Sequence, residues 1–96
     1  MTLKMSDTWK DSQTDNLCRA FLKLGSIDEI YNFLEDIATI NEIKSMAQRL
    51  EVAKLLTESK NYSEIVNSTG ASTATISRVK KCLDYGSGGY KSVLTK

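Results

Sequence analysis

The chain has 96 residues, which suits one small domain, and its 41% hydrophobic and 26% charged residues are ordinary for a globular protein. No apolar run approaches the roughly 20 residues of a membrane helix, and the acidic N-terminus lacks the apolar stretch of a secretory signal. Composition thus argues against a membrane protein and a secreted one. We expect a cytoplasmic protein whose Cys18 and Cys82 are reduced and buried.

The net charge is only +1, but its distribution along the chain is uneven. Residues 27–42 include acidic side chains and no basic one. Residues 78–96 include basic side chains, and Asp84 is the single acidic residue among them. Such a dipole would steer an anionic partner towards the C-terminal third. Two differently solvated surfaces would produce the same pattern, so charge alone leaves both interpretations open.

Apolar residues recur at helical spacing almost throughout, and proline is absent. The first helix is predicted from about Asp11 to Leu24, with Gly25 as its stop because glycine tolerates a positive φ. Ser26 and Glu29 then form a capping box, in which each side chain satisfies an amide at the start of the second helix.

Capping residues also mark the starts of the next three helices. Thr39 or Asn41 is expected to begin a third helix that runs to about Ser59. Asn61 begins the fourth helix, and Ser72 begins the fifth. A glycine-rich break and a last short helix follow, so the pattern predicts six helices.

The last helix is predicted at residues 90–94, where Tyr90 is expected to pack against the protein instead of stacking on a base. The whole chain, residues 1–96, is predicted to form one all-α domain. Its parts are an N-terminal arm at 1–10, dimerisation helices at 11–59, a helix-turn-helix at 61–83 and a C-terminal segment at 84–96. The first two helices carry apolar faces that a small monomer covers poorly, which favours a homodimer with Trp9 anchoring the arm on the partner subunit.

Residues 62–83 have the pattern of a helix-turn-helix, whose second helix is shaped to enter the DNA major groove. Gly70 permits the sharp turn between the two helices. The apolar residues expected to fix their crossing are Ile65, Val66, Ile76 and Val79. Val66 is bulkier than is usual at its position.

The second helix of this unit directs hydroxyl groups and basic side chains outwards. The free amides of its first turn can bind phosphates. The candidate DNA-contacting residues are Lys60, Ser63, Ser72, Thr73, Ala74, Thr75, Ser77, Arg78, Lys80 and Lys81. Methyl groups of Thr73 and Ala74 can meet thymine methyls, and Lys80 or Lys81 can reach guanine or phosphate. An ordinary helical hairpin with a Ser/Thr-rich surface is the alternative. Since Ser and Thr are mediocre helix formers, their clustering favours DNA contact.

Four segments also match a known group of proteins. They are Met-Ala-Gln-Arg-Leu at 46–50, Gly-Ala at 70–71, Ala-Thr-Ile-Ser-Arg at 74–78 and Cys-Leu-Asp-Tyr-Gly-Ser-Gly-Gly-Tyr at 82–90. Together they resemble the YerC/YecD group of tryptophan-repressor-like proteins, over roughly residues 15–94. The resemblance implies an intertwined all-helical homodimer and a bacterial transcription regulator that binds double-stranded DNA.

In the tryptophan repressor two arginines form the pocket for tryptophan, and the resemblance places them at Arg49 and Arg78. The repressor has a glycine after the second arginine, whereas this chain has Val79, whose side chain would fill the space beside the indole ring. We therefore expect no cofactor and no binding of tryptophan. Whether another small molecule acts as the effector is left open by the sequence. Alternatively, Arg49 forms a structural ion pair with Glu42 or Glu58, and Arg78 contacts a phosphate.

The leading interpretation is therefore a sequence-specific DNA-binding regulator, with repressor activity implied by the resemblance alone. The same helices could instead dock an acidic protein of the transcription machinery. An enzyme is disfavoured, because the chain has no histidine and no glycine loop followed by a phosphate-binding lysine. No metal is expected either, since two distant cysteines supply too few ligands for zinc.

Overall fold

The computed structural model describes residues 8–96, so residues 1–7 of the predicted arm lie outside the described part. Its elements are α1 (Ser12–Leu22), α2 (Ile27–Ile37), α3 (Ile40–Thr57), α4 (Tyr62–Thr69), α5 (Thr73–Tyr85) and α6 (Gly89–Leu94). Six helices and no strand in the described residues confirm the predicted all-α fold. The chain divides into two compact units, one ending at Thr39 and the other formed by Ile40–Lys96.

The first unit contains two helices that are capped by side chains. Asp11 accepts a hydrogen bond from the amide of Thr14 at 2.8 Å and begins α1. Ser26 begins α2 and accepts a hydrogen bond from the amide of Glu29 at 3.1 Å, which is one of the two bonds of the predicted capping box. The rings of Phe21 in α1 and Phe33 in α2 meet edge to face, with their centroids 5.2 Å apart.

Two expectations for this unit were wrong. The first helix ends at Leu22, because the amide of Lys23 already turns back to the carbonyls of Ala20 and Phe21. Gly25 lies beyond this end and does not adopt a positive φ, so it is not the helix stop. Cys18 is free, as expected, but it is exposed on α1 and not buried; Cys82, on α5 of the second unit, is likewise free and exposed.

The cap of α1 leads to a prediction about pH. The hydroxyl of Thr14 donates to the Asp11 carboxylate at 2.6 Å, and with the amide bond it lowers the pKa of Asp11 below its ordinary 3.8. Because the pKa of Asp11 is lower in the folded protein, the ionised carboxylate stabilises the cap fully above pH 3.8. This contribution is lost as the pH falls through the pKa of Asp11 in the folded protein.

Replacing Thr14 with valine removes the hydroxyl donor, so the pKa of Asp11 should move back towards 3.8. An NMR titration of the Asp11 carboxyl carbon in both proteins measures this shift. Identical Asp11 curves would contradict the role of the Thr14 hydroxyl in the cap.

The second unit contains a hydrophobic core built from three helices and a turn. Its fully buried members are Val52 and Ala53 of α3, Ile65 of α4, Ala71 of the turn, and Ile76 and Val79 of α5. Tyr90 and Leu94 of α6 pack against this cluster, which confirms Tyr90 as a packing residue. The core therefore fixes α4 and α5 against α3.

Helix α3 differs from its prediction at both ends. It begins at Ile40, so Asn41 lies inside the helix and only Thr39 directly precedes it. It stops at Thr57 because Ser59 takes a left-handed φ of 63°, and the amide of Lys60 then bonds the carbonyl of Leu55 at 3.1 Å. This is a Schellman ending with serine where glycine is usual.

None of the helices within residues 8–96 combines the length and apolar character that spanning a bilayer requires.

Candidate nucleic-acid interface

The turn between α4 and α5 depends on Gly70. Its φ of 72° lies in the left-handed region, and its amide donates to the carbonyl of Val66 at 2.9 Å. Thr69 completes the turn, since its hydroxyl donates to the carbonyl of Ile65 at 2.7 Å and accepts from the amide of Ala71 at 3.1 Å. The side-chain amide of Gln48 donates to the carbonyl of Thr69 at 3.1 Å, which ties the turn to α3.

Replacing Gly70 with alanine is expected to lower the free energy of unfolding by about 1 kcal/mol, because an L-residue is strained at this φ. A Cβ atom there would meet nothing within 4 Å, so the cost comes from the backbone alone. Gly89→Ala is the matched control: that site is also open, has no positive φ and begins α6. Urea unfolding of both variants checks this, and an equal loss in the two would contradict it.

Helix α5 begins where the sequence predicts. The Ser72 hydroxyl accepts from the amide of Thr75 at 3.1 Å and lies 3.1 Å from the Thr75 hydroxyl oxygen. The helix runs to Tyr85, two residues beyond the predicted end at Leu83, and its cap is the amide of Gly86 bonding the carbonyl of Cys82.

One face of α5 is buried and the opposite face is open. Ile76 and Val79 are buried, and Leu83 packs beside them, as predicted. The candidate contact residues that are exposed on α5 are Thr73, Ala74, Ser77, Arg78, Lys80 and Lys81. At 3.6 residues per turn, Ala74 and Lys81 lie opposite the buried stripe. We call Thr73, Ala74, Ser77, Lys80 and Lys81 the outer arc of α5.

The two lysines of the outer arc differ in their surroundings. The ammonium of Lys80 lies 3.4 Å from a carboxylate oxygen of Asp84, one turn along the helix, and both side chains are about half exposed. Lys80 lies on the flank of the arc, whereas Lys81 lies opposite the buried stripe. An exposed pair of this kind contributes little to stability, so Lys80 remains available to another anion.

Two other candidate residues lie beside α3. Thr75 is half-buried, and with Arg78 it lines a cavity of about 140 Å³. Ser45, Gln48 and Arg49 of α3 form the other side of this cavity. The structure thus brings Arg49 and Arg78 together, as the resemblance implies. Val79 does not line the cavity, because its side chain is 1% exposed and belongs to the core. The expectation that this side chain fills the space beside the two arginines was therefore wrong.

The remaining candidates lie at the start of α4. Ser63 is exposed on α4, and Lys60 precedes the cap residue Asn61. Lys60 lines a separate depression that also contains Glu64. A carboxylate so near would oppose a phosphate there, so Lys60 is a weaker candidate than the lysines of α5.

Tyr62 joins the site although the sequence gives no sign of it. The ring of Tyr62 packs against the core, and its hydroxyl oxygen lies 3.5 Å from the hydroxyl oxygen of Ser77 on the outer arc. The two residues are 15 positions apart, and no local pattern pairs them. Gln48, which holds the turn from α3, was missed for the same reason.

The fold and the turn agree with what the chain is similar to. Residues 12–96 match the family described as Trp repressor protein. The chain belongs to the Trp repressor family. This family consists of transcription regulators and is not a family of enzymes.

Individual relatives support membership of the Trp repressor family. The uncharacterized protein YerC of Bacillus subtilis (strain 168) is 49% identical over 90 residues, which cover 94% of this chain and 86% of YerC. A crystal structure of a TrpR-like protein from Eubacterium eligens ATCC 27750 is 49% identical, with a TM-score of 0.90 over 93% of this chain and 92% of that one. A crystal structure of a candidate Trp repressor from Staphylococcus aureus is 40% identical, with a TM-score of 0.91 over 97% and 93%. These similarities confirm the resemblance.

Proposed function

We propose that this protein is a sequence-specific DNA-binding transcriptional regulator, a cytoplasmic repressor that acts as a homodimer. The observation that carries the proposal is the outer arc of α5, which is exposed while the opposite face of the same helix is buried. A helix held by one face and open on the other can lie in the major groove without losing its packing.

The chemistry of the outer arc suits DNA. Methyl groups on Thr73 and Ala74 can contact thymine, and the Ser77 hydroxyl can bond a base edge. The lysines supply positive charge for guanine and phosphate oxygens. The first amides of α5, which follow the cap Ser72, offer donors at the positive end of the helix dipole.

The first unit supports the homodimer. Helices α1 and α2, which lie entirely within the described residues, contain no buried residue. Large apolar side chains are instead exposed there, such as Leu22 at 85% and Ile27 at 72%. Burying this surface against a second copy would remove it from water. Light scattering should give about twice the 10.7 kDa mass of one chain, and a monomer at micromolar concentration would contradict the dimer.

Selection from a random duplex library with the purified protein tests the function. A dimer with two copies of α5 about 34 Å apart should enrich two half-sites whose centres are one helical turn apart. Selected duplexes should then bind far more tightly than shuffled ones of equal length. A library that remains unenriched would contradict sequence-specific binding, and a co-purifying acidic protein would favour the protein-docking alternative.

We also propose that tryptophan is not the effector. The proposal is supported by the sequence difference alone: Val79 stands where the tryptophan repressor has glycine, although its side chain lies in the core and not in the cavity. Calorimetry with L-tryptophan should show no saturable heat, whereas micromolar binding would contradict the proposal. The double variant Arg49→Ala, Arg78→Ala is the control that assigns any heat to the cavity between α3 and α5.

A further inference from the structure

We propose that Tyr62 is a positioning residue that orients the Ser77 hydroxyl for reading a base. This inference rests on the proposed function, because it assigns a role within DNA recognition. The observation behind it is that the Tyr62 and Ser77 hydroxyl oxygens face each other at 3.5 Å, a contact longer than a typical O–H···O hydrogen bond, in which either oxygen could be the donor. The contact joins the first residue of α4 to the outer arc of α5.

Ser77 occupies the middle of that arc. Residues three or four apart on a helix are surface neighbours, so Ser77 adjoins Ala74 on one side and Lys81 on the other. These are the two residues opposite the buried stripe of α5. A hydroxyl at this position would face the base edges when the helix lies in the major groove.

The hydroxyl of Ser77 also has an unusual partner for a helical serine. A serine or threonine inside a helix commonly donates back to a carbonyl three or four residues earlier. In this chain the hydroxyls of Thr57 and Thr69 do so, at 2.6 and 2.7 Å. Within the described residues, the hydroxyl of Ser77 is paired with Tyr62 and with no such carbonyl.

Tyr62 is well placed to impose an orientation. Its ring is half-buried and packs against the core cluster, and the cap formed by Asn61 fixes the start of α4. The phenol is the stronger donor of the two hydroxyls, because its oxygen shares electron density with the ring. When Tyr62 donates, Ser77 keeps its own proton for DNA and presents a donor.

The expected base preference follows from this proton arrangement. A donor at the centre of the arc suits the acceptor edges in the major groove, which are N7 and O6 of guanine, N7 of adenine and O4 of thymine. It does not suit the amino group of cytosine, which is itself a donor. Tyr62 thereby determines which kind of base Ser77 contacts.

The test compares the base preferences of matched variants by selecting each from the same random duplex library. Tyr62→Phe removes only the hydroxyl and keeps the ring, and Ser77→Ala removes its partner. Both should lose the preference for an acceptor base at the same position of each half-site, with about a 10-fold or larger fall in the ratio of operator to random affinity. The double variant should be no worse than the worse single variant. Tyr90→Phe, a half-buried tyrosine on the same core, should behave as the original protein does.

Three results would overturn the inference. If Tyr62→Phe selects the same bases as the unchanged protein while Ser77→Ala selects different ones, Tyr62 does not orient the Ser77 hydroxyl. A fall in affinity that is equal for operator and random duplex would indicate a phosphate contact or a packing role. A preference unchanged in both variants would remove Ser77 from base reading. If the original protein enriches no sequence at all, the proposed function itself fails, and this outcome is distinct from the other three.

Discussion

Replacing Lys81 with alanine is expected to reduce the ratio of operator to random-duplex affinity by about 30-fold or more. Lys81 is exposed on the outer arc of α5, opposite the buried stripe formed by Ile76 and Val79. A good interaction with a base is worth about 1–3 kcal/mol of discrimination, and a dimer would forgo one in each half-site. Gel-shift titrations with the selected operator and with a shuffled duplex measure the ratio.

The neighbouring Lys80→Ala is the matched control for this loss. Lys80 lies on the flank of the arc beside Asp84, where a phosphate is its expected partner. Its replacement should weaken binding to all duplexes alike. It should also reduce the slope of log affinity against log salt by about 0.9 for each phosphate that is no longer neutralised. If Lys81→Ala weakens binding to the operator and to the shuffled duplex equally, as Lys80→Ala is expected to do, Lys81 does not read bases.

Replacing Ile76 with alanine should lower the free energy of unfolding by about 2–5 kcal/mol. Ile76 has 0% exposure and packs with Val52, Ile65 and Val79 in the core that holds α5. Truncation removes apolar packing and leaves a cavity that the surrounding helices fill only in part. Urea unfolding followed by circular dichroism measures the loss, and DNA binding should fall with the folded fraction.

Ser77→Ala is the adjacent control for stability. The Ser77 side chain is exposed, so its truncation should change the free energy of unfolding by less than about 0.5 kcal/mol. The two variants therefore separate the two faces of one helix: the inner change affects folding and the outer change affects recognition. Similar losses of stability in both would contradict the orientation of α5.

The features that could be predicted from sequence are those that depend on neighbouring residues. Ser26, Asn61 and Ser72 each accept an amide bond from the residue three positions later, and this local chemistry is visible in the chain itself. The positive φ of Gly70 and the burial of Ile76 were predicted for similar reasons, from a residue type and from helical spacing.

The features that were missed depend on tertiary packing or on rare local conformations. Nothing in the sequence marks Ser59 as left-handed, since a serine seldom ends a helix in this way. The half-burial of Thr75, a predicted DNA contact, was not foreseen, because it depends on α3 packing on that side of α5, where Thr75 and Arg49 line the same cavity. The approach of Tyr62 to Ser77 arises only when α4 and α5 cross. Such pairings follow from the packing of helices, which a single sequence does not specify.

The most direct measurement of the central claim is an NMR map of the DNA-binding surface on this 10.7 kDa chain. Amide shifts of isotope-labelled protein are recorded with and without the operator selected from the library. We expect the largest changes at Ser72 and along Thr73, Ala74, Ser77 and Lys81, with small changes at Val52 and Ala53 in the core. Changes confined to α1, α2 or α6, with α5 unaffected, would contradict the claim that the outer arc of α5 reads DNA.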